Sequence, residues 1–222
     1  MVTGAASGIG LALARRAAAE GMNVVLADVD AAGLDEAAST MQGAPPDGVS
    51  VVRCDVSDAD AVEALAAGAY ERFGSVELLC NNAGVGGGGR VADLTRGEWE
   101  WVLGVNLWGV IHGVTSFLPR MLETGTPAHV VNTASMAGFF AAPGMAPYAV
   151  SKFGVVALSE SMRAELAGGP VGVSVLCPGW VSTRIHESDR NRPAELTVDR
   201  PGPDEDMREM VRQLIESGLP PA

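Results

Sequence analysis

Five near-continuous apolar runs recur along this chain, and a helical pattern fills the spaces around them. The runs are NVVLAD (23–28), VSVVRCD (49–55), VELLCNN (76–82), HVVNTAS (129–135) and VGVSVLCP (171–178). Helical stretches lie near residues 8–20, 31–41, 58–73, 96–122 and 148–167. A strand that is apolar at nearly every position buries both faces, as in a parallel sheet between two helix layers. The fold class is therefore α/β: a doubly wound parallel sheet with helices on both faces. A length of 222 residues fits one domain, 1–222.

Composition narrows the partners. A chain that is 47% hydrophobic with 28 glycines is globular and turn-rich. A net charge of -12 argues against nucleic acid and anionic membrane, since both need a basic surface. Cys54, Cys80 and Cys177 show neither metal-ligand nor CxxC spacing. Cys80 and Cys177 sit in apolar runs and read as buried small hydrophobes, which fits a reducing cytoplasm. His112, His129 and His186 are scattered, so no metal site is expected. No basic stretch leads into an apolar one near the start, and no uninterrupted apolar run reaches transmembrane length. Residues 184–206 are polar and rich in Pro, Arg and Asp, and read as a mobile loop; 184–217 as a whole is assigned to a substrate loop or lid. Both ends read as short. Only Met1 and Val2 precede the first glycine motif, where a central strand of about four to six residues belongs. The chain stops at ESGLPPA, so the sheet is expected to be truncated at both ends.

TGAASGIG (3–10) runs straight into LALARRAAAEGM, an amphipathic helix. Gly4, Gly8 and Gly10 allow a tight turn, backbone approach to a pyrophosphate and close helix packing, with free N–H groups at the helix start facing the phosphates. Such a turn at the head of such a sheet is of Rossmann type. The spacing is GxxxGxG rather than GxGxxG, and glycine-rich turns also arise for steric reasons alone. Asp28 ends the second strand eighteen residues after Gly10, where a carboxylate binds the adenosine ribose hydroxyls. A carboxylate there repels a 2′-phosphate, and no Arg or Lys follows it directly or lies in the glycine loop. NAD is expected rather than NADP. Asp30 can fill the helix-capping role instead. Asp55 either caps the next helix or contacts the adenine, and Ser57 and Asp58 are better caps. NNAGVGGGG (81–89) is either a close backbone approach to a cofactor or a floppy surface loop.

Lys152 is the sole lysine, and it follows Tyr148 by one helical turn in YAVSK. A phenol titrates near pH ~10, and lowering it to about 7 takes roughly 4 kcal/mol. A unit charge ~4 Å away at an effective dielectric of ~20 supplies about that much. The pair is an acid/base engine, or an ordinary pair on a solvated helix face. Asn106, in WVLGVNLWGVIHGV, is a poor helix former among apolar neighbours, so it is buried and needs a partner. Gly104 and Gly109 permit a helix irregularity there.

TGxxxGIG, NNAG, mid-helix Asn106, Ser135 thirteen residues before YxxxK, and a following PG (178–179) occur in this order. From Thr3 to about Thr183 the chain resembles the single-domain branch of the short-chain dehydrogenase/reductase family. The resemblance implies an oxidoreductase that acts on a secondary alcohol or ketone. It implies that Tyr148 exchanges a proton with the substrate oxygen, that Lys152 lowers the Tyr148 pKa and holds the nicotinamide ribose, and that Ser135 polarises the reacting oxygen. Asn106 is placed in a water-mediated proton relay to the lysine, beside the structural hydrogen bond its burial demands. Ser7, Gly8, Ile9 and Gly10, Asp28, Asp55 and Val56, Asn82, Ala83 and Gly84, and Pro178, Gly179, Val181 and Thr183 line the cofactor, with Asn82 partly structural. The alternative is a non-catalytic dinucleotide-binding or regulatory protein on the same fold.

The partner is a small-molecule substrate. Met136, Phe139, Phe140, Met145 and Trp180 suggest a hydrophobic one, and core packing explains several of these side chains equally well. Arg184, Arg190 and Arg192 either bind an acidic substrate group or are solvated. Helices 96–122 and 148–167 carry more apolar surface than one sheet face needs, and family members pair these helices. A homodimer or homotetramer is expected.

Overall fold

The period-two alternation inside the second strand shows how the molecule is layered. Val24 and Leu26 pack into one buried cluster, while Val25 and Ala27 pack into another on the opposite face. Such a strand needs cover on both sides. In the computed structural model, which describes residues 1–196 and 205–221 (side chains from 209 in the last segment), that cover is two helix layers around a six-stranded sheet. The strands are β1 (Val2–Thr3), β2 (Val24–Asp28), β3 (Val49–Arg53), β4 (Leu78–Asn81), β5 (Ala128–Thr133) and β6 (Val171–Leu176). Their order is β3-β2-β1-β4-β5-β6, and every pairing is parallel.

Helices α1 (Gly8–Ala19) and α2 (Ala31–Ser39) cover one face through Ala14, Ala18, Leu34 and Ala37. Helices α3 (Ala59–Phe73), α5 (Gly109–Thr124) and α6 (Ala146–Glu165) cover the other. The larger cluster there includes Leu65 from α3, Phe117 and Met121 from α5, and Val155 from α6. Each side chain of this kind stabilises the fold by about 1.5–3 kcal/mol when fully buried. Helix α4 (Arg96–Leu103) precedes α5, and α7 (Glu205–Glu216) is the last helix. Caps fall where short polar side chains allow them. Asp30 accepts from Gly33 N, Asp58 from Asp60 N and Ala61 N, and Thr95 forms a reciprocal capping box with Glu98.

Two features depart from the sequence-based expectation. The stretch 184–206, expected as a mobile loop, carries regular turns in its described part. Residues 185–191 and 194–196 form 3-10 turns, and α7 is a regular helix; 197–204 lie outside the described residues. The two-residue β1 is nonetheless paired on both sides, with Val2 in register with Leu26 and with Cys80. Residues 96–124 form one helical run of 29 residues, apolar enough to cross a membrane by length and composition, and half of its most apolar window is buried in the core. Five residues in its middle, Gly104–Trp108, form a π turn.

Candidate active site

An all-parallel sheet delivers the C-terminal end of every strand to one edge, and the order reverses between β1 and β4. Ligands of such sheets bind outside that reversal. The predicted residues gather there. Gly4–Gly10 follow β1, Asp28 ends β2, Asp55 and Val56 follow β3, Asn82–Gly84 follow β4, Ser135 follows β5 and Pro178–Thr183 follow β6. Helix α6 contributes Tyr148 and Lys152, and the π turn contributes Asn106.

On the glycine-loop side, backbone approaches replace side chains. Gly8 has φ +56, a left-handed value that penalises any Cβ. A Cβ on Gly10 would stand 2.1 Å from Gly4 O, and one on Gly8 would stand 3.1 Å from Thr183 Cγ2. Thr183 therefore lies over the glycine loop from the opposite side of the cleft. Ser7 is the N-cap of α1 but makes no side-chain cap bond, and the first turn, which contains Ile9, carries no acidic residue. The orphan amides of that turn suit an anion. The Asp28 carboxylate accepts from Ala6 N at 3.1 Å and from Asp30 N at 3.1 Å, so it is fixed against the loop rather than capping α2. Asp55 Oδ1 accepts from Ser57 N at 2.9 Å and Ser57 Oγ at 2.7 Å, an Asx turn that leaves capping of α3 to Asp58. Val56 beside it is buried. Asn82 ties strands together: its backbone N donates to Thr3 Oγ1 at 2.9 Å, its Nδ2 to Thr3 O at 3.1 Å, and its Oδ1 accepts from Thr133 Oγ1 at 3.2 Å. Ala83 N also donates to Thr3 Oγ1, at 3.0 Å.

Deeper in, Asn106 is fully buried. Its Oδ1 accepts from Val85 N at 2.7 Å, and its Nδ2 donates to Val85 O at 3.0 Å and Ser151 Oγ at 3.3 Å. The π turn, permitted by the glycines at both of its ends, is what turns this side chain inward. Lys152 is 3% exposed, and its Nζ donates to Thr133 O at 2.9 Å. Burial pushes its pKa down from 10.5 to about 8, with Cys177 opposing. Gly84 separates the two groups: a Cβ there would lie 3.4 Å from Asn106 Oδ1 and 3.6 Å from Lys152 Nζ.

The phenol behaves differently from the expectation. Burial pushes Tyr148 up, and only a hydrogen bond with Ser135 offsets it. The ammonium lies 5.6 Å from the Tyr148 ring centroid and spends a proton on Thr133 O, so in this state desolvation outweighs charge. Ser135 also accepts from Ala137 N at 3.1 Å. Cys177, expected to be buried, is only half-buried, because it leaves β6 at the open edge beside Ser135 and Lys152. Cys54 is buried and its thiol is pushed up to about 11.

Around this centre, Met136, Phe139, Phe140 and Trp180 are exposed, with both phenylalanines at 55%, so they are not core side chains. Met136 N donates to Pro178 O at 3.0 Å, which joins this apolar surface to the Pro178–Gly179 turn. Val181 forms a parallel bridge with Leu219. The three arginines serve the loop itself. Arg184 pairs with Glu187 at 2.7 Å, Arg190 donates to the carbonyls of Arg184 and Glu187, and Arg192 pairs with Asp189 at 2.9 Å. Arg192 is not solvated: its guanidinium carbon sits 4.1 Å over the Trp101 ring. The 84–89 loop is packed rather than floppy, with Gly86 N donating to Ser188 Oγ at 2.9 Å and Gly89 N to Gly144 O at 2.8 Å. Four contributors escaped the sequence reading. Thr3 and Thr133 are ordinary strand-end residues by sequence, and Ser188 carried no signal. Ser151 lay inside YAVSK, where a buried polar residue between Tyr148 and Lys152 was the available clue.

Residues 1–194 match the family model described as short chain dehydrogenase. The chain is 44% identical over 203 residues to 1-deoxy-11-beta-hydroxypentalenate dehydrogenase of Streptomyces avermitilis, covering 89% of this chain and 75% of that protein. It is similar to a short chain dehydrogenase/reductase from Burkholderia phymatum solved in complex with NAD, at TM-score 0.93 and 44% identity, over 98% of this chain and 78% of that one. It is also similar to an alcohol dehydrogenase from the archaeon Thermococcus sibiricus complexed with 5-hydroxy-NADP, at TM-score 0.77 and 28% identity, over 99% of this chain and 92% of that one.

Proposed function

Because this chain belongs to the short-chain dehydrogenase/reductase family and is an oxidoreductase acting on CH–OH and C=O groups, we propose that it is a single-domain NAD-dependent enzyme interconverting a hydrophobic secondary alcohol and its ketone. The supporting observation is the convergence of Ser135, Tyr148 and Lys152 at the strand edge that also carries Asp28 and the glycine loop. The residues fit a dinucleotide. A Cβ on Gly8 would meet Thr183, so glycine keeps the loop backbone bare where Thr183 approaches it, and the first turn of α1 offers orphan amides. Asp28 is held ready for ribose hydroxyls and repels a 2′-phosphate. The Burkholderia relative was solved with NAD and the Thermococcus one with an NADP derivative, so the choice of NAD rests on Asp28.

Bound NAD supplies the two-electron acceptor for alcohol oxidation, and its reduced form supplies the donor for the reverse. The chain's own groups handle the proton. Ser135 donates to the reacting oxygen and orients it. Tyr148 takes the hydroxyl proton in oxidation and returns it in reduction. The Lys152 ammonium stabilises the phenolate that accepts the proton in oxidation and remains after the proton is returned in reduction, and the gap left by Gly84 lets a water join Lys152 to Asn106. The exposed Met136, Phe139, Phe140 and Trp180 support an apolar substrate. Trp108, Leu122, Val150 and Phe153 are exposed on the π turn, α5 and α6, and they support a homodimer or homotetramer through those helices. The free cysteines fit a reducing cytoplasm.

The test is calorimetric titration with NAD and with NADP, followed by an alcohol and ketone panel read at the NADH absorbance. NAD should bind at least about tenfold more tightly, the effect of ~1.4 kcal/mol of repulsion from Asp28. Tyr148→Phe should keep that binding and lose at least ~100-fold in turnover. Equal affinity for the two cofactors removes the NAD assignment, and undiminished turnover in the variant removes Tyr148.

A further inference from the structure

The backbone at residues 85–86 stands between the loop after β6 and the π turn, and it is bonded to both. Val85 grips both polar atoms of the Asn106 side chain through its own N and O, at 2.7 Å and 3.0 Å. The next amide, Gly86 N, donates to Ser188 Oγ at 2.9 Å. Ser188 is buried, and its hydroxyl proton goes to Ile185 O within its own loop. The hydroxyl therefore acts as an acceptor for Gly86 and as the tie that shapes the 185–191 turn. A second fastening leads the same way. Arg192 stacks over Trp101, which sits in the last turn of α4, just ahead of the π turn that carries Asn106.

We propose that Ser188 is a positioning residue for the reaction. Docking of the 185–191 loop onto Gly86 sets the Val85 backbone, and through it the orientation of the Asn106 amide beside Gly84 and Lys152. The relay is then complete only when the loop is closed. Ser188 touches neither the substrate nor the cofactor in this scheme. The proposal rests on the assignment of Asn106 to proton transfer.

The experiment compares the wild-type chain with Ser188→Ala and with the isosteric pair Ser188→Thr and Ser188→Val, which differ only in the hydroxyl. NMR amide exchange is the first readout. Val85 and Gly86 should both exchange about tenfold faster in Ser188→Ala and Ser188→Val than in the wild type and Ser188→Thr, as expected for one lost hydrogen bond. The Asn106 side-chain amide signals should shift in the same two variants, while β5 amides keep their protection. Faster exchange at Gly86 with Val85 and Asn106 unmoved overturns the proposal, as does identical behaviour of the Thr and Val variants. With cyclohexanol and NAD as probes, kcat should fall about tenfold with the KM for NAD unchanged, and a change confined to KM also overturns it. Absence of turnover by the wild type against every alcohol would sink the proposed function, and the exchange measurement would still decide whether Ser188 sets Asn106.

Discussion

A buried ammonium with a carbonyl for its partner is a liability that this molecule keeps at Lys152. Its folded pKa of about 8 lies below the ordinary 10.5. For a base with a depressed pKa, the destabilisation is present in full below the folded value. It is relieved as pH rises from about 8 to 10.5, where the unfolded chain holds the proton and the folded one does not. A shift of this size corresponds to about 3 kcal/mol. Urea unfolding should therefore show the wild type gaining up to about 3 kcal/mol across that window relative to Lys152→Met, whose curve lacks the gain. Parallel curves would mean that Lys152 is not buried as charged. At this scale the sequence was informative where chemistry needs a rare residue in a fixed place, as with Tyr148, Lys152 and Asp28. It was silent where the role comes from a distant contact. Arg192 looks like any loop arginine until Trp101 is beneath it, and Ser188 gains its meaning from Gly86.

At the scale of elements, the turn between β1 and α1 is one of the tight joints among the described residues. A Cβ at Gly10 meets the Gly4 carbonyl at 2.1 Å, and it also crowds Asn82 Nδ2 at 2.5 Å. Backbone cannot yield as a side-chain tip does, so Gly10→Ala should lower unfolding stability by at least ~3 kcal/mol, the upper end for overpacking. Unchanged denaturation midpoints would show that the turn can open without cost. The strands and most helices were legible because burial on two faces writes near-continuous apolar runs, and amphipathic cover writes a longer period. Helix α7 was missed although Met207, Met210, Val211, Leu214 and Ile215 recur at helical spacing. The acidic, proline-rich stretch leading into it drew attention to the loop instead. The π turn was foreshadowed by Gly104 and Gly109 and the burial of Asn106 by its apolar neighbours, while its partners Val85 and Ser151 needed the structure to be seen.

For the whole molecule, the proposed assembly rests on exposed apolar side chains of α6 and its neighbours. Phe153 is 44% exposed beside Gly154, whose face packs on Leu107, and Trp108 next in the chain is 52% exposed. Sedimentation should give a dimer or tetramer at micromolar concentration and a monomer for Phe153→Glu, since a charge in an isologous apolar interface appears twice. A monomeric wild type would end the oligomer proposal. Apolar surface on the outer helices was legible in the sequence; the particular side chains left uncovered were not, because that depends on how α5 and α6 pack against α3 and the sheet.

The bridge between Val181 and Leu219 has a kinetic consequence. Ser182 N donates to Leu219 O at 2.8 Å, and Leu219 N donates to Trp180 O at 3.1 Å, so the strip that carries Thr183 over Gly8 is pinned from the far end of the chain. On the proposed function, this strip borders the glycine loop that would hold the dinucleotide, so release of the cofactor would require the pin to open. Turnover is then paced by release of the pin. Added sucrose should slow kcat in proportion to viscosity, and indifference to viscosity would place the slow step in the chemistry. On the proposed function, Leu219, remote in sequence from the glycine loop, thereby helps to time the cycle.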